Sequence, residues 1–368
     1  MPKRYRNVYG AVASFSNVRH AERKAGKGKG QRDEVLVFRS RKNDNLQKIS
    51  AELANKTYKP GQYSVFRVSH PVRRMIMALR YRDRVVQWAI YLQVFPLLDQ
   101  GFIYDSYACR KGKGAHAALD RVQYWMRQCV RRGGTWYTLK MDISKFFYRI
   151  DHAILMQILA QRIDDPDMMR LFAQIINSDT MRFGLPVGCG PDDVPPDCRL
   201  EDVGIPIGNL TSQMFANIYL DVLDQFVKHC LHVHFYARYM DDLLIISNSK
   251  EELLQIWAAI EGFLAVRLHL QLNHKTSIQP FGQGVEFVGV KLWPTHRRLR
   301  KLTIKGIKHR LAEVWQQYLD GIITEERLKR TINSYKGILS HVECMALRHK
   351  LNQMCGRLAM QKLAERRK

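Results

Sequence analysis

Two adjacent aspartates, Asp241 and Asp242, stand where one apolar run ends and another begins, in Phe235-Tyr-Ala-Arg-Tyr-Met-Asp-Asp-Leu-Leu-Ile-Ile-Ser247. Aromatic residues lead into the pair and an apolar run leads out. The pattern predicts a β-hairpin with both carboxylates at its tight turn. An ordinary Asp-containing turn, bonded to nearby backbone, satisfies it equally well. A second acid changes the balance. Residues 135–141, Thr-Trp-Tyr-Thr-Leu-Lys-Met, read as a buried strand running into Asp142. An acid at the end of a core strand is costly unless something pairs with it, and a metal ion would do so.

Asp142 and the Asp241-Asp242 pair each follow an apolar strand, so they can meet at one edge of an antiparallel sheet. Carboxylate clusters that meet would hold two Mg²⁺ ions about 3.5–4 Å apart, the arrangement used for in-line phosphoryl transfer. One ion lowers the pKa of an attacking hydroxyl and the other neutralises the leaving group. Carboxylates suit this better than His or Cys because Mg²⁺ is hard and prefers oxygen. Without ions the same acids would repel one another.

Composition narrows the partner. The 368 residues include 59 Lys and Arg against 34 Asp and Glu, a formal net charge of +25. Such a field attracts polyanions, nucleic acid first among them. A membrane surface is the competing partner, but there is no apolar run near ~20 residues and no signal-peptide pattern, so no membrane association is expected. The seven cysteines are scattered without a Cys-x-x-Cys pair, which speaks against structural zinc and a disulfide framework. A reducing, cytoplasmic setting follows as an expectation.

Along the chain, residues 1–43 are rich in Lys and Arg around Gly26-Lys-Gly-Lys-Gly30 and read as a basic arm, either solvated or gripping a polyanion. They form no P-loop, which needs a preceding strand and a Gly-Lys-Ser/Thr ending. Residues 44–56 predict a helix, 63–69 and 72–79 two strands, and 85–98 an apolar helix. Arg73 and Arg74 are either surface charge or a triphosphate clamp, since a guanidinium fork matches phosphate oxygens. Tyr107-Ala-Cys-Arg-Lys-Gly-Lys-Gly114 places Arg110, Lys111 and Lys113 before a helix over 115–131, which favours contact with a nucleic-acid backbone. Helices follow over 151–160 and 168–177, then a Pro-rich acidic loop over 184–203. A long helix over 214–230 is expected to be capped by Thr211 or Ser212. Gly208 before it allows a ligand's close approach. Residues 250–264 predict a helix, 285–293 a strand pair, and about 303–368 three basic helices.

The order of Arg80-Tyr-Arg-Asp-Arg-Val-Val-Gln87, Tyr107 to Gly114, Lys140-Met-Asp-Ile-Ser-Lys-Phe-Phe147, Gly208 to Gln213, Tyr239-Met-Asp-Asp242, Leu272-Asn-His-Lys275 and Val285-Glu-Phe-Val-Gly289 resembles the successive motifs of reverse transcriptases. Any one motif is weak; seven in order over roughly residues 70–300 are specific. The resemblance implies an α/β (α+β) right-hand polymerase with a ferredoxin-like palm. Its parts would be a basic arm (1–43), fingers (44–135 with part of 160–203), palm (136–296) and helical thumb (297–368). It implies Asp142, Asp241 and Asp242 as catalytic metal ligands for two Mg²⁺ ions, with the Ile143 carbonyl a further ligand. Phe147 falls at the aromatic gate against a 2′-hydroxyl. Arg74, helped by Arg73, would contact the incoming dNTP, as would Ile207, Gly208 and Gln213. Lys275 would protonate the pyrophosphate, and Tyr239 and Met240 would meet template and primer.

Many reverse transcriptases carry Gln-Gly-x-x-x-Ser-Pro where this chain has Ile207-Gly-Asn-Leu-Thr-Ser-Gln213. That motif, with Trp293-Pro-Thr-His296 before a basic thumb, is similar to reverse transcriptases of diversity-generating retroelements. These copy a template-repeat RNA into cDNA with errors at template adenines. The resemblance implies template RNA, primer, cDNA and dNTPs as partners, with a small basic oligomeric accessory protein, in a bacterial or phage-infected cell. A retron-type thumb would carry Val-Thr-Gly where this chain has Leu302-Thr-Ile-Lys-Gly306. An intron maturase is expected to continue into a longer region, and no RNase H domain is expected. An antiphage-defence reverse transcriptase stays open. From another class, a non-catalytic RNA-binding protein on a decayed polymerase fold is disfavoured by the three intact acids.

Overall fold

The structure, a computed structural model, describes residues 4–68, 74–177 and 181–366. Helices α1 (Val8–Ala13), α2 (Phe15–Ala25), α3 (Asp33–Ser40) and α4 (Lys42–Ala54) come first. The hairpin β1 (Ser64–Val68) and β2 (Arg74–Ala78) follows, then α5 (Tyr81–Asp99) and α6 (Ala115–Arg131). β3 (Tyr137–Asp142) leads to α7 (Phe146–Arg149), α8 (His152–Ala160), α9 (Pro166–Ile176) and α10 (Leu210–Gln225). β4 (Tyr236–Tyr239) and β5 (Asp242–Ser247) are followed by α11 (Lys250–Leu268), β6 (Ser277–Pro280), β7 (Val285–Phe287), β8 (Val290–Leu292) and β9 (Arg297–Leu299). α12 (Lys301–Leu319), α13 (Glu325–Leu339) and α14 (Met345–Arg366) close the chain as the three helices expected there. The fold is a mixed α/β one, with strand order β4-β5-β3-β6 in its four-stranded sheet. Among the described residues no helix is long and apolar enough to cross a membrane.

The chain divides into two compact units. The first comprises residues 1–114, 141–243 and 254–276. Its helical centre is α5, whose Val85, Val86, Ala89, Ile90 and Val94 are wholly buried and which packs against α2 and α10. The expectation of a basic arm over 1–43 does not hold for its described part: residues 4–43 include α1–α3 and the start of α4. In α2, Val18, Ala21 and Ala25 recur at helical spacing and are buried, while Arg19, Arg23 and Lys24 face outward. Three of the cations that suggested an arm, Arg19, Arg23 and Lys24, are the polar face of this amphipathic helix. At its centre the fully buried Glu22 accepts from Arg39 Nε at 2.8 Å, Lys42 Nζ at 2.6 Å and the Tyr81 hydroxyl at 3.1 Å. One carboxylate thus joins α2, α3, α4 and α5. Burial alone would raise its pKa, but Lys42 and Arg39 outweigh that and hold it below the usual value.

The expected cap of α10 is also replaced. Thr211 and Ser212 lie buried inside the helix, Asn209 is the N-cap, and the Gln87 side chain of α5 accepts from the Leu210 amide at 3.1 Å. A long-range partner does what a local hydroxyl was expected to do.

The second unit comprises residues 115–140, 244–253 and 277–368. Here β3 pairs antiparallel with β6, Tyr137 opposite Pro280 and Lys140 opposite Ser277. β7, β8 and β9 form an antiparallel meander. Helix α6 is tied to the β8–β9 turn through Gln123 Nε2 on the Trp293 carbonyl at 2.9 Å, and to β9 through an Asp120–Arg297 ion pair at 2.6 Å.

Removing the Glu22 carboxylate leaves Arg39 and Lys42 without their shared acceptor. Glu22→Ala is expected to cost about 3 kcal/mol of stability in denaturant melts at pH 7. Because the folded pKa is lowered, the wild-type advantage should fade as pH falls through the carboxylate range.

Candidate active site

The hairpin predicted around Asp241 and Asp242 is present, with Met240 between the strands in the left-handed region at φ 58°. β5 is buried from Leu243 to Ser247, which drives the strand inward, and the two aspartates remain half-buried at the turn. What holds the turn is a charge inside β4. Arg238 is wholly buried and bonds Asp224 of α10 through Nε at 2.8 Å and Nη2 at 2.6 Å. Its Nη1 donates to Asn217 Oδ1 and to the Met240 carbonyl, each at 3.2 Å. Tyr236 donates to the same Asp224 at 2.7 Å. Burial alone would lower the Arg238 pKa; the Asp224 charge outweighs it and keeps the guanidinium charged. Burial and then Asp224 push the Tyr236 hydroxyl well up, so it stays a donor. This network, which the sequence reading missed, pins the backbone that presents both acids. The signal was there: an arginine in a strand otherwise made to be buried.

Asp142 ends β3 and comes to the same place. The Ile143 amide donates to the Asp241 carbonyl at 3.2 Å, joining the two acid motifs by backbone. On its other side, Ile143 bridges Leu272, and Ser144 N donates to the Gln271 carbonyl at 2.8 Å. Asn273 then takes hold of Asp142: its backbone N–H donates to the Asp142 carbonyl at 2.7 Å and its Nδ2 to Asp142 Oδ2 at 3.1 Å. Lys275 is exposed two residues on, its amide bonded to Asn273 Oδ1 at 3.1 Å. Among the described residues no three His, Cys, Asp or Glu side chains stand close enough to form a ready metal cluster. The donor set nevertheless fits a hard divalent cation: aspartate carboxylates and a backbone carbonyl, all oxygen.

The other expected residues divide. Phe147 is half-buried, edge-on to Phe146 at 5.5 Å between ring centres, with its carbonyl accepting from Ile205 N at 2.8 Å. Ile207 packs on the apolar cluster of Met75, Met77, Tyr148, Phe183, Leu185 and Val194, and its carbonyl accepts from Met77 N at 2.9 Å. Gly208 has φ +124°, and a Cβ there would stand 3.0 Å from Ile76 Cγ2 and 3.1 Å from the Met77 carbonyl. One close approach that requires glycine is therefore made by β2. Gln213 lies half-buried in the first turn of α10. Arg73 lies outside the described residues, and the Arg74 backbone pairs with Val68.

The basic loop needs correcting. Arg110 is consumed by the protein, bonding Asp99 Oδ1 at 2.5 Å and the carbonyls of Ile103 and Ser106 at 2.7 and 2.9 Å. Lys113 donates to the Tyr104 carbonyl at 2.9 Å and sits over that ring. A Gly-rich cationic run was read as phosphate-binding when much of its charge closes its own turn. Lys111 is exposed. Tyr239 is half-buried, whereas the Met240 side chain is buried, leaving it a structural part in the turn.

Residues 70–292 match the family described as reverse transcriptase (RNA-dependent DNA polymerase). The chain belongs to the reverse transcriptase family. Protein YkfC of Escherichia coli K12 is 26% identical over 61% of this chain and 63% of its own length. The group II intron-encoded protein LtrA of Lactococcus lactis is 24% identical over 50% of this chain and 28% of its own. The putative COX1/OXI3 intron 2 protein of Saccharomyces cerevisiae is 22% identical over 72% and 37%. This reverse transcriptase chain thus spans less than two thirds of the length of these relatives. A truncated Candida tropicalis telomerase structure shares 12% identity over 65% of this chain and 55% of that one, at a TM-score of 0.47, a likeness that adds nothing to the assignment.

One titration in this reverse transcriptase lies in α10, next to the Asp224 that Arg238 bonds. Asp221 of α10 is pushed up from 3.8 to about 6, first by burial and then by the Asp224 charge, with Arg162 as its ion-pair partner at 3.0 Å. Between those values the folded state holds the proton more tightly than the unfolded chain, so this group lowers stability as pH rises through the window. Asp221→Asn should melt like wild type near pH 4 and gain on it by up to about 3 kcal/mol above pH 6, read from melts across pH. A constant difference between the two proteins would reject the assignment.

Proposed function

We propose that this chain is the RNA-directed DNA polymerase of a diversity-generating retroelement, copying a template-repeat RNA into cDNA with errors at template adenines. The observation that carries the polymerase reading is the meeting of two separate acid motifs at one backbone contact, the Ile143 amide on the Asp241 carbonyl at 3.2 Å. Two Mg²⁺ ions, held by Asp142, Asp241, Asp242 and the Ile143 carbonyl, would activate the primer 3′-hydroxyl and neutralise the leaving pyrophosphate. The 3′-hydroxyl would lose its proton to solvent as its oxygen bonds the α-phosphorus of the dNTP and the bond to the bridging oxygen breaks. Lys275 gives its proton to that departing oxygen. Phe147 excludes a 2′-hydroxyl, Arg73 and Arg74 grip the triphosphate, and Lys111 contacts the template backbone.

The retroelement reading is supported by the Ile207 to Gln213 motif and by where Ile207 lies. An apolar residue there, packed on an apolar cluster, replaces a polar amide that would check the incoming pair. Template RNA, primer, cDNA, dNTPs and a small basic oligomeric accessory protein are the partners of this reading, in the cytoplasm of a bacterial or phage-infected cell. The intron-encoded relatives favour a second reading, a reverse transcriptase of the group II intron lineage without error bias.

The test is cDNA synthesis on an RNA template with Mg²⁺, followed by sequencing. Asp241→Ala/Asp242→Ala should abolish the product; a control that still makes cDNA would sink the two-metal site. Errors clustered at template adenines support the retroelement reading, and accurate cDNA supports the second.

Ile207→Gln is expected to lower errors opposite adenine, with about 1–2 kcal/mol of stability lost because an amide enters an apolar cluster. An unchanged error rate in a folded variant removes Ile207 from fidelity control.

A further inference from the structure

We propose that Asn273 is the positioning residue of this site: one side-chain amide fixes Asp142 at one end and the Lys275 turn at the other. The inference rests on the polymerase reading and deepens it. Nδ2 donates to Asp142 Oδ2 at 3.1 Å, while Oδ1 accepts from the Lys275 amide at 3.1 Å. The Asn273 backbone is itself held, its N–H on the Asp142 carbonyl at 2.7 Å and its carbonyl accepting from Thr276 N at 3.0 Å and Thr276 Oγ1 at 2.9 Å.

Both ends of the amide are used, and its orientation is set by chemistry. A half-turn about the last side-chain bond would set the amide oxygen against the Asp142 carboxylate and an N–H against the Lys275 N–H, losing both bonds. Asn273 therefore grips Asp142 with a neutral donor, which fixes the rotamer while the carboxylate keeps its charge for a cation. The same grip sets the turn from which Lys275 reaches the leaving group. The two groups with opposite duties, holding cations and giving a proton, share one anchor. Alanine supplies neither bond. Aspartate keeps the shape and the acceptor for Lys275 but presents an oxygen where Asp142 needs a donor.

The experiment pairs Asn273→Ala with Asn273→Asp in the full chain and reads three quantities: Mn²⁺ binding by electron paramagnetic resonance, single-nucleotide addition and melting temperature. Asn273→Ala should bind Mn²⁺ at least about threefold more weakly and lose about tenfold in kcat, with dNTP KM within about twofold. Its melting temperature should stay within about 2 °C of wild type, since the Leu272 bridge and the backbone bonds remain. Asn273→Asp should lose as much kcat as the alanine variant, because the donor is gone although the shape is kept. Recovery of kcat in the aspartate variant would show that shape alone matters and overturn the proposal. Wild-type Mn²⁺ affinity and kcat in the alanine variant would overturn it too. Weaker Mn²⁺ binding by the alanine variant, in a wild-type protein that extends no primer, would uphold the anchor and remove the polymerase reading.

Discussion

A buried arginine holds the turn that carries Asp241 and Asp242. Arg238 lies in a strand whose other residues belong in a core, and its guanidinium is taken up by Asp224, Asn217 and the Met240 carbonyl. A hydrophobic residue would pack there without desolvating a charge, and buried ion pairs often contribute little net stability. What the pair contributes is position. Met240 sits at a positive φ, a conformation that non-glycine residues adopt at a cost, and a donor on its carbonyl helps select that turn over alternatives. Asp241 and Asp242 leave the turn in a direction set from inside the protein.

The site is then closed from the opposite side. Residues 271–273 lie along 142–144 through the Ile143–Leu272 bridge and the Asn273 bonds, while the Ile143 amide faces Asp241. Acids that repel one another without cations are kept together by backbone hydrogen bonds that do not depend on their charge. Neutral groups thus carry the geometry, which would leave the carboxylates free to serve cations.

Much of this was legible in the sequence, and the reason is periodicity. Strand patterns placed Asp142 and the Asp241-Asp242 pair at strand ends, and the order of motifs gave the family. The misreadings share a different cause: each judged a residue by its neighbours in sequence when its partner is distant. Residues 1–43 looked like an arm because Glu22, which gathers Arg39 and Lys42, is one acid among many cations. Arg110 looked free because Asp99 stands eleven residues earlier. Thr211 and Ser212 looked like caps because Gln87 does that work from 123 residues away. Asn273 belongs to the Leu272-Asn-His-Lys275 motif, and nothing in that stretch announces that Asp142 is its partner.

The region around Gly208 shows how packing and chemistry become one constraint. Its positive φ and the contacts a Cβ would make with Ile76 and Met77 fix the backbone against β2, and the Met77–Ile207 hydrogen bond fixes it again. The Ile207 side chain cannot then choose its surroundings freely: it meets the apolar cluster built by β2, Tyr148 and the loop that includes Leu185 and Val194. Any change of polarity at 207 acts first on that cluster. The surroundings of Ile207 and the packing of β2 are therefore properties of the same few side chains, and a substitution in one must act on the other.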